Sequence, residues 1–139
     1  MSEALILSGK DVADSVYSKL KKRIARLAIK GISPGLCVVL IGDDPASQIY
    51  VRTKAKKFNS LGLLSDTVLL KSDINEEKVI NIISDLNKDP KYHGILVQLP
   101  LPAHINSQNI INSIKPNKDV DGFHPENVGW LSIGKPRFI

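Results

Sequence analysis

A single cysteine, few aromatic side chains and no long apolar run set the first limits on this chain of 139 residues. Cys37 cannot close an internal disulfide. Lying inside Leu36-Cys37-Val38-Val39-Leu40-Ile41, it reads as a small buried core thiol rather than a nucleophile, in keeping with a reducing cytoplasm. No apolar stretch approaches the roughly eighteen residues of a spanning helix. The start, Met1-Ser2-Glu3-Ala4-Leu5-Ile6-Leu7-Ser8, has no basic segment followed by an apolar one, so neither membrane insertion nor secretion is indicated. Aromatics make up 5% of the chain and are not interleaved with the basic residues as a nucleic-acid stacking platform requires. His93, His104 and His124 are not spaced as metal ligands, so no metal site is expected. There is no internal repeat and no low-complexity tract.

What is present suits one α/β domain. Apolar residues make up 42% of the chain, enough for one continuous core, and the net charge of +5 favours an anionic small molecule or serves solubility alone. The short run Leu5-Ile6-Leu7 closes at Ser8-Gly9, with Ser8 placed as a helix N-cap. Val12, Val16, Leu20, Ile24 and Leu27 then recur at helical steps, with Lys19, Lys21, Lys22, Arg23 and Arg26 on the polar side. That pattern predicts a helix packed on a core and stopped by Gly31-Ile32-Ser33-Pro34-Gly35.

Leu36–Ile41 is uniformly apolar, as a strand covered on both faces must be. Asp44 as N-cap and Pro45 in the first turn open the next helix, which ends near Leu61-Gly62. A second central strand is predicted over Asp66–Leu70, a helix from Asn75 to Asp89-Pro90, and a strand over Gly94–Leu99 ended by Pro100-Leu101-Pro102. Ser107–Ile114 is a shorter helix burying Ile110, Ile111 and Ile114. A polar loop over Lys115–Phe123 and a short helix over Pro125–Leu131 complete the order. Strands alternating with helices imply a mainly parallel sheet in a three-layer αβα arrangement, whose ligands bind beyond the strand carboxyl ends.

Three polar features gather at that end by chain order. Ser47, Tyr50 and Lys54 share a helical face, so a hydroxyl, a phenol and an amine line one wall. Alone, Lys54 fits a solvated helix lysine as well as a catalytic amine. A lysine working near neutral pH needs desolvation or nearby positive charge to lower its pKa from about 10.4, and Arg52 and Lys56 are close in sequence. Gln98 interrupts an apolar strand, where its amide must meet polar protein groups or a ligand. Asp121, before Gly122, suits an Asx-turn. It also suits a carboxylate that accepts two parallel N–H groups from a heterocycle. His124 stands where it can line the rim. The Tyr50-x-x-x-Lys54 spacing also serves short-chain dehydrogenases, but the chain contains no G-x-G-x-x-G and that reading falls.

Three stretches together are more specific: Gly42-Asp43-Asp44-Pro45-Ala46-Ser47-Gln48-Ile49-Tyr50-Val51-Arg52-Thr53-Lys54-Ala55-Lys56, then Gly94-Ile95-Leu96-Val97-Gln98-Leu99-Pro100-Leu101-Pro102, then Pro116-Asn117-Lys118-Asp119-Val120-Asp121-Gly122-Phe123. In this order they resemble the signatures of the bifunctional methylenetetrahydrofolate dehydrogenase/methenyltetrahydrofolate cyclohydrolase family. Asn127-Val128-Gly129 and Gly134 extend the likeness over essentially the whole chain.

The resemblance implies an aminoacid dehydrogenase-like N-terminal domain. Residues 1–122 would form the folate-binding catalytic domain, and 123–139 the start of a connection to a Rossmann-like cofactor domain absent from this chain. The implied reactions are oxidation of methylenetetrahydrofolate to the methenyl cation and its hydrolysis to 10-formyltetrahydrofolate, in cytoplasmic one-carbon metabolism that feeds purine biosynthesis. By the same likeness Lys54, Gln98 and Asp121 are catalytic: Lys54 chiefly in hydrolysis, Gln98 orienting it, Asp121 holding the pterin N–H edge. Tyr50 would stack on the aminobenzoyl ring, with Ser47 behind it, and a methenyl cation beside Lys54 would disfavour the ammonium form. NADP, or NAD, would be bound mainly by the C-terminal domain. The full-length protein would be a homodimer and this chain a monomer without dehydrogenase activity, with no nucleic-acid, membrane or metal partner. A folded but inactive folate-binding module, and an α/β domain for another anionic metabolite, stand as alternatives.

Overall fold

The computed structural model describes residues 7–137. The expected run at Leu5-Ile6 and the closing Phe138-Ile139 lie outside the described residues. The chain divides into two compact units, 1–33 and 34–139. In the first, α1 (Gly9–Ile29) is capped by the Ser8 hydroxyl, which accepts the Asp11 N–H. No residue of α1 is buried. Its partly covered positions are Ala13, Tyr17, Leu20, Ile24 and Leu27, whereas Val12 and Val16 stand exposed. The expected stripe is therefore turned by one position at its start, because Ala13 and Tyr17 satisfy the same helical period.

The second unit is built on β1 (Gly35–Ile41), all seven of whose residues are buried. It lies between β2 (Leu64–Leu70) and β3 (Gly94–Val97) in a parallel sheet of order β2-β1-β3. Alternate side chains of β1 face opposite layers. Leu36, Val38 and Leu40 meet Val51 and Phe58 of α2 (Pro45–Ser60), while Cys37, Val39 and Ile41 join Val79, Ile83 and Leu86 of α3 (Glu76–Lys88). Ile110 of α4 (Ser107–Ser113) completes that second layer. Burying each such Val, Ile or Leu side chain contributes about 1.5–3 kcal/mol, which is why an unbroken apolar run became the central strand.

Two expectations are corrected. β2 begins at Leu64 and, among the described residues, is an edge of the sheet, not a second central strand; Thr67 and Leu69 on it are exposed. β3 ends at Val97, so Gln98 lies one residue beyond the ladder, although its N–H still donates to the Val39 carbonyl at 2.9 Å. The peptide between Leu99 and Pro100 is cis. The loop at 115–123 is also more ordered than its composition suggested. Ile95 donates its N–H to the Lys118 carbonyl at 2.7 Å, and Asp119 pairs in parallel with Ile95. Finally α5 (Pro125–Ser132) follows, with His124 as its N-cap.

Candidate active site

β2 follows β1 on one side and β3 lies on the other, so the chain leaves the sheet in opposite directions from β1 and β3. A crevice at the carboxyl ends of two such strands is where α/β sheets place ligands. Gly42, with φ +87°, turns the chain out of β1, and the Asp44 carboxylate then accepts the Ser47 N–H at 2.7 Å. The Ser47 backbone and hydroxyl bonds hold the Asp44 carboxyl below its ordinary value. Ser47 is thus buried in the helix cap, and Tyr50, on the outer side of α2, is 63% exposed. Of the three residues expected to share one wall, only Lys54 is half-buried, beside Val51 and Phe58 on the sheet-facing stripe.

Side chains on a helix lean toward its N-terminus, which for α2 is the end that follows the carboxyl end of β1. The Lys54 ammonium accordingly reaches Gln98, donating to Oε1 at 3.3 Å. Gln98 Nε2 donates to the Leu99 carbonyl at 2.8 Å. The amide is therefore fixed with its oxygen toward the lysine, which satisfies the requirement that a glutamine here find polar partners.

Asp121 is the third member. It lies two residues past the Asp119 bridge to Ile95, in a bend, and near enough to α2 to feel the charge of the Lys54 ammonium. Partial desolvation pushes its carboxyl above the ordinary value; the Asp119 carboxylate adds to the rise and the Lys54 ammonium opposes it. The group nevertheless stays open to solvent. An amine, an amide and a carboxylate from three separate segments thus meet at one strand end, a set able to move a proton and to bind an N–H edge.

Residue reasoning passed over two other features. Asp119 and Asn127 are buried polar residues behind Asp121, and Asn127 lay in the sequence only as part of a longer resemblance. No local pattern points to Asp119: alternation of Asp119, Val120 and Asp121 on an extended segment would bury the valine, yet Val120 is 48% exposed and Asp119 3%. An open depression of about 530 Å³ lies at the ends of β1 and β2, lined by Gly42, Asp43 and Leu69–Asp73. It includes none of Lys54, Gln98 and Asp121. Among the described residues no cluster of histidine, cysteine and carboxylates is arranged to hold a metal ion, and no helix is long and apolar enough to cross a membrane.

Known proteins resemble this chain in sequence and fold. Residues 7–121 match the model of the tetrahydrofolate dehydrogenase/cyclohydrolase catalytic domain. The bifunctional protein FolD of Geotalea daltonii is 50% identical over 135 residues, covering 97% of this chain and 48% of that protein. FolD of Moorella thermoacetica is 49% identical over 97% of this chain and 48% of its own length. The chain therefore spans about half the length of the curated relatives it matches. Among solved structures, the Campylobacter jejuni FolD dehydrogenase/cyclohydrolase superposes with a TM-score of 0.90 at 45% identity, over 94% of this chain and 46% of that one. The Trypanosoma brucei FolD, determined with NADP cofactor and an inhibitor, superposes with a TM-score of 0.89 at 37% identity, over 96% and 46%.

Proposed function

The chain belongs to the tetrahydrofolate dehydrogenase/cyclohydrolase family, and from that membership we propose that residues 1–122 form a folate-binding catalytic domain acting on 5,10-methylene- and 5,10-methenyltetrahydrofolate. The observation that carries this reading is the meeting of Lys54 Nζ with Gln98 Oε1 at 3.3 Å beside the Asp121 carboxylate. Asp121 accepts the pterin N–H pair. Exposed Tyr50 offers its ring to the aminobenzoyl group, and Ser47, in the cap beneath, shapes the start of α2. The methenyl cation repels an ammonium at Lys54 and so favours the free amine.

Water then adds to the methenyl carbon as Lys54 takes its proton. The C–N5 bond breaks as the added hydroxyl releases its proton to solvent and becomes the formyl C=O, N5 takes the proton held by Lys54, and 10-formyltetrahydrofolate results. Gln98 keeps the lysine aimed at the reacting carbon throughout. A folate one-carbon product of this kind serves purine biosynthesis in the cytoplasm.

The dehydrogenase half requires a nicotinamide acceptor, NADP as in the Trypanosoma brucei relative, or NAD. This chain has no glycine-rich dinucleotide loop, so none of its residues is assigned to that cofactor and no hydride step is built on them. We place the cofactor in the half of the relatives' length that this chain does not span. Residues 123–139 form the connection to it, and the full-length protein works as a homodimer.

The test is disappearance of methenyltetrahydrofolate absorbance in the presence of this chain. Hydrolysis above the buffer rate is expected, with Lys54→Met slower by about 10²- to 10⁴-fold, the usual contribution of a positioned acid–base group. A Lys54→Met protein as fast as the parent would remove Lys54 from the mechanism. A chain that binds folate without hydrolysing it would favour the inactive-module reading.

A further inference from the structure

The loop that carries Asp121 is closed at its neck by another aspartate. Asp119 is 3% exposed, and its Oδ2 accepts two hydrogen bonds, from the His124 N–H at 2.8 Å and from Asn127 Nδ2 at 2.9 Å. The Asn127 amide also donates to the Pro116 carbonyl at 2.8 Å, which fixes its orientation. Both donors of Asn127 are thus used, whereas its buried Oδ1 has no protein partner. Residues 120–123 form a ring tied from the Asp119 side chain to the His124 backbone. Asp121 sits at its tip, where Gly122, with φ +70°, makes a turn that residues with a Cβ rarely adopt. Sheet pairing of Asp119 with Ile95 holds the other side of the neck.

Burying a carboxylate and an unpaired amide oxygen is unfavourable, and apolar residues fill such space more stably. We propose that Asp119, oriented by Asn127, is a positioning residue for the folate site: by closing the 119–124 ring it fixes the place and direction of the Asp121 carboxylate against Lys54 and Gln98. Asp119 itself touches no substrate. This inference rests on the folate reading, with Asp121 as the group that binds the pterin edge. The charged groups acting on Asp121 are Lys54 from α2 and Asp119 from its own loop.

The decisive comparison is His124→Pro against His124→Ala. Both variants lose the imidazole that accepts the Glu126 N–H, but only proline removes the backbone N–H that Asp119 accepts. The φ of −59° at this residue is one that proline adopts without strain. Titration of the 139-residue chain with tetrahydrofolate, after thermal unfolding has established that each variant is folded, should show His124→Pro binding about tenfold more weakly than His124→Ala. In an Asp121→Ala background the two should bind alike, because a residue that acts only through Asp121 has nothing left to position. Equal affinities in the parent background, or an undiminished difference in the Asp121→Ala background, would overturn the role of Asp119. If His124→Pro does not fold, Asn127→Ala replaces it. It leaves the His124 bond in place and is expected to weaken binding in the same Asp121-dependent way, and an Asp121-independent loss would count against the proposal. A parent chain that binds no tetrahydrofolate would overturn the folate reading, and this inference with it.

Discussion

Gly94 begins β3 directly beneath the Asp121 loop. A Cβ built there would stand 2.5 Å from Cγ1 of Val120 and 3.4 Å from Cδ1 of Leu36. Apolar carbons rest at about 3.5–4.0 Å, so Gly94→Ala demands that Val120 give way by about 1 Å or more. Val120 is 48% exposed and has room to move outward, which sets the penalty toward the low end for an overpacked site, about 1–2 kcal/mol. For a chain of this size that corresponds to a fall in Tm of about 3–10 °C.

The relief is specific. Val120→Ala alone removes half-exposed methyl groups and should lower stability by less than about 1 kcal/mol. In the Val120→Ala background, Gly94→Ala should cost nothing measurable. Val120 lies between Asp119 and Asp121, so displacing it should also weaken tetrahydrofolate binding in the single variant and spare it in the double. Thermal unfolding and titration of the four proteins form a closed cycle. Additive losses of Tm would show that the new methyl group does not meet Val120. An unchanged Tm in Gly94→Ala would show that the loop is not seated on β3 as described.

Two further outcomes follow from the charges and burial. The Asp121 carboxyl is raised by desolvation, so its ionised form is disfavoured by folding. Its contribution to stability is therefore fully present below the unfolded value, near 3.9, and falls as pH rises through the folded value. Asp121→Asn should accordingly melt higher than the parent at pH 7 and alike at pH 3. A difference that persists undiminished at pH 3 would point to packing instead of charge. Cys37 is fully buried and its thiol is pushed up to about 11, first by desolvation and then by Asp66. The folded chain should not react with a thiol reagent at pH 8, and one equivalent should react in denaturant, Cys37 being the sole cysteine; reaction in native buffer would mean that β1 opens.

Legibility in the sequence followed the range of the forces involved. Caps are local, and Ser8, Asp44 and Asn75 each accept the N–H expected of an N-cap. The apolar run of β1 and the helical period of α3 are likewise short-range patterns, and both elements form where they were read. Chain order beyond the sheet was harder to read. Val68 and Leu70 made β2 look central, yet edge position depends on which strand pairs next, and β3 joins the far side of β1. Gln98 and Asp121 could be named, but not the reason they are held in place. The Asp119 bond to His124 spans five residues of irregular loop, and no periodicity reports it.

The three central side chains are placed by three separate devices. Lys54 is set by the packing of Val51 and Phe58 on one face of the sheet. Gln98 is set by its own N–H on the Val39 carbonyl, and Asp121 by the ring that Asp119 closes. None of the three lies on a strand: Lys54 is held from α2, Gln98 by Val39 of β1, and Asp121 by a loop whose Asp119 pairs with Ile95 of β3. Because the supports share few partners, damage to two of them should add in stability. In function the same damage should not add. Once Lys54 and Gln98 no longer meet, misplacing Asp121 has little catalysis left to remove, as expected of residues that act as a unit. The sheet thus separates what a substitution does to the fold from what it does to the site. A support residue is recognised by a functional loss that disappears when its dependent side chain is already gone.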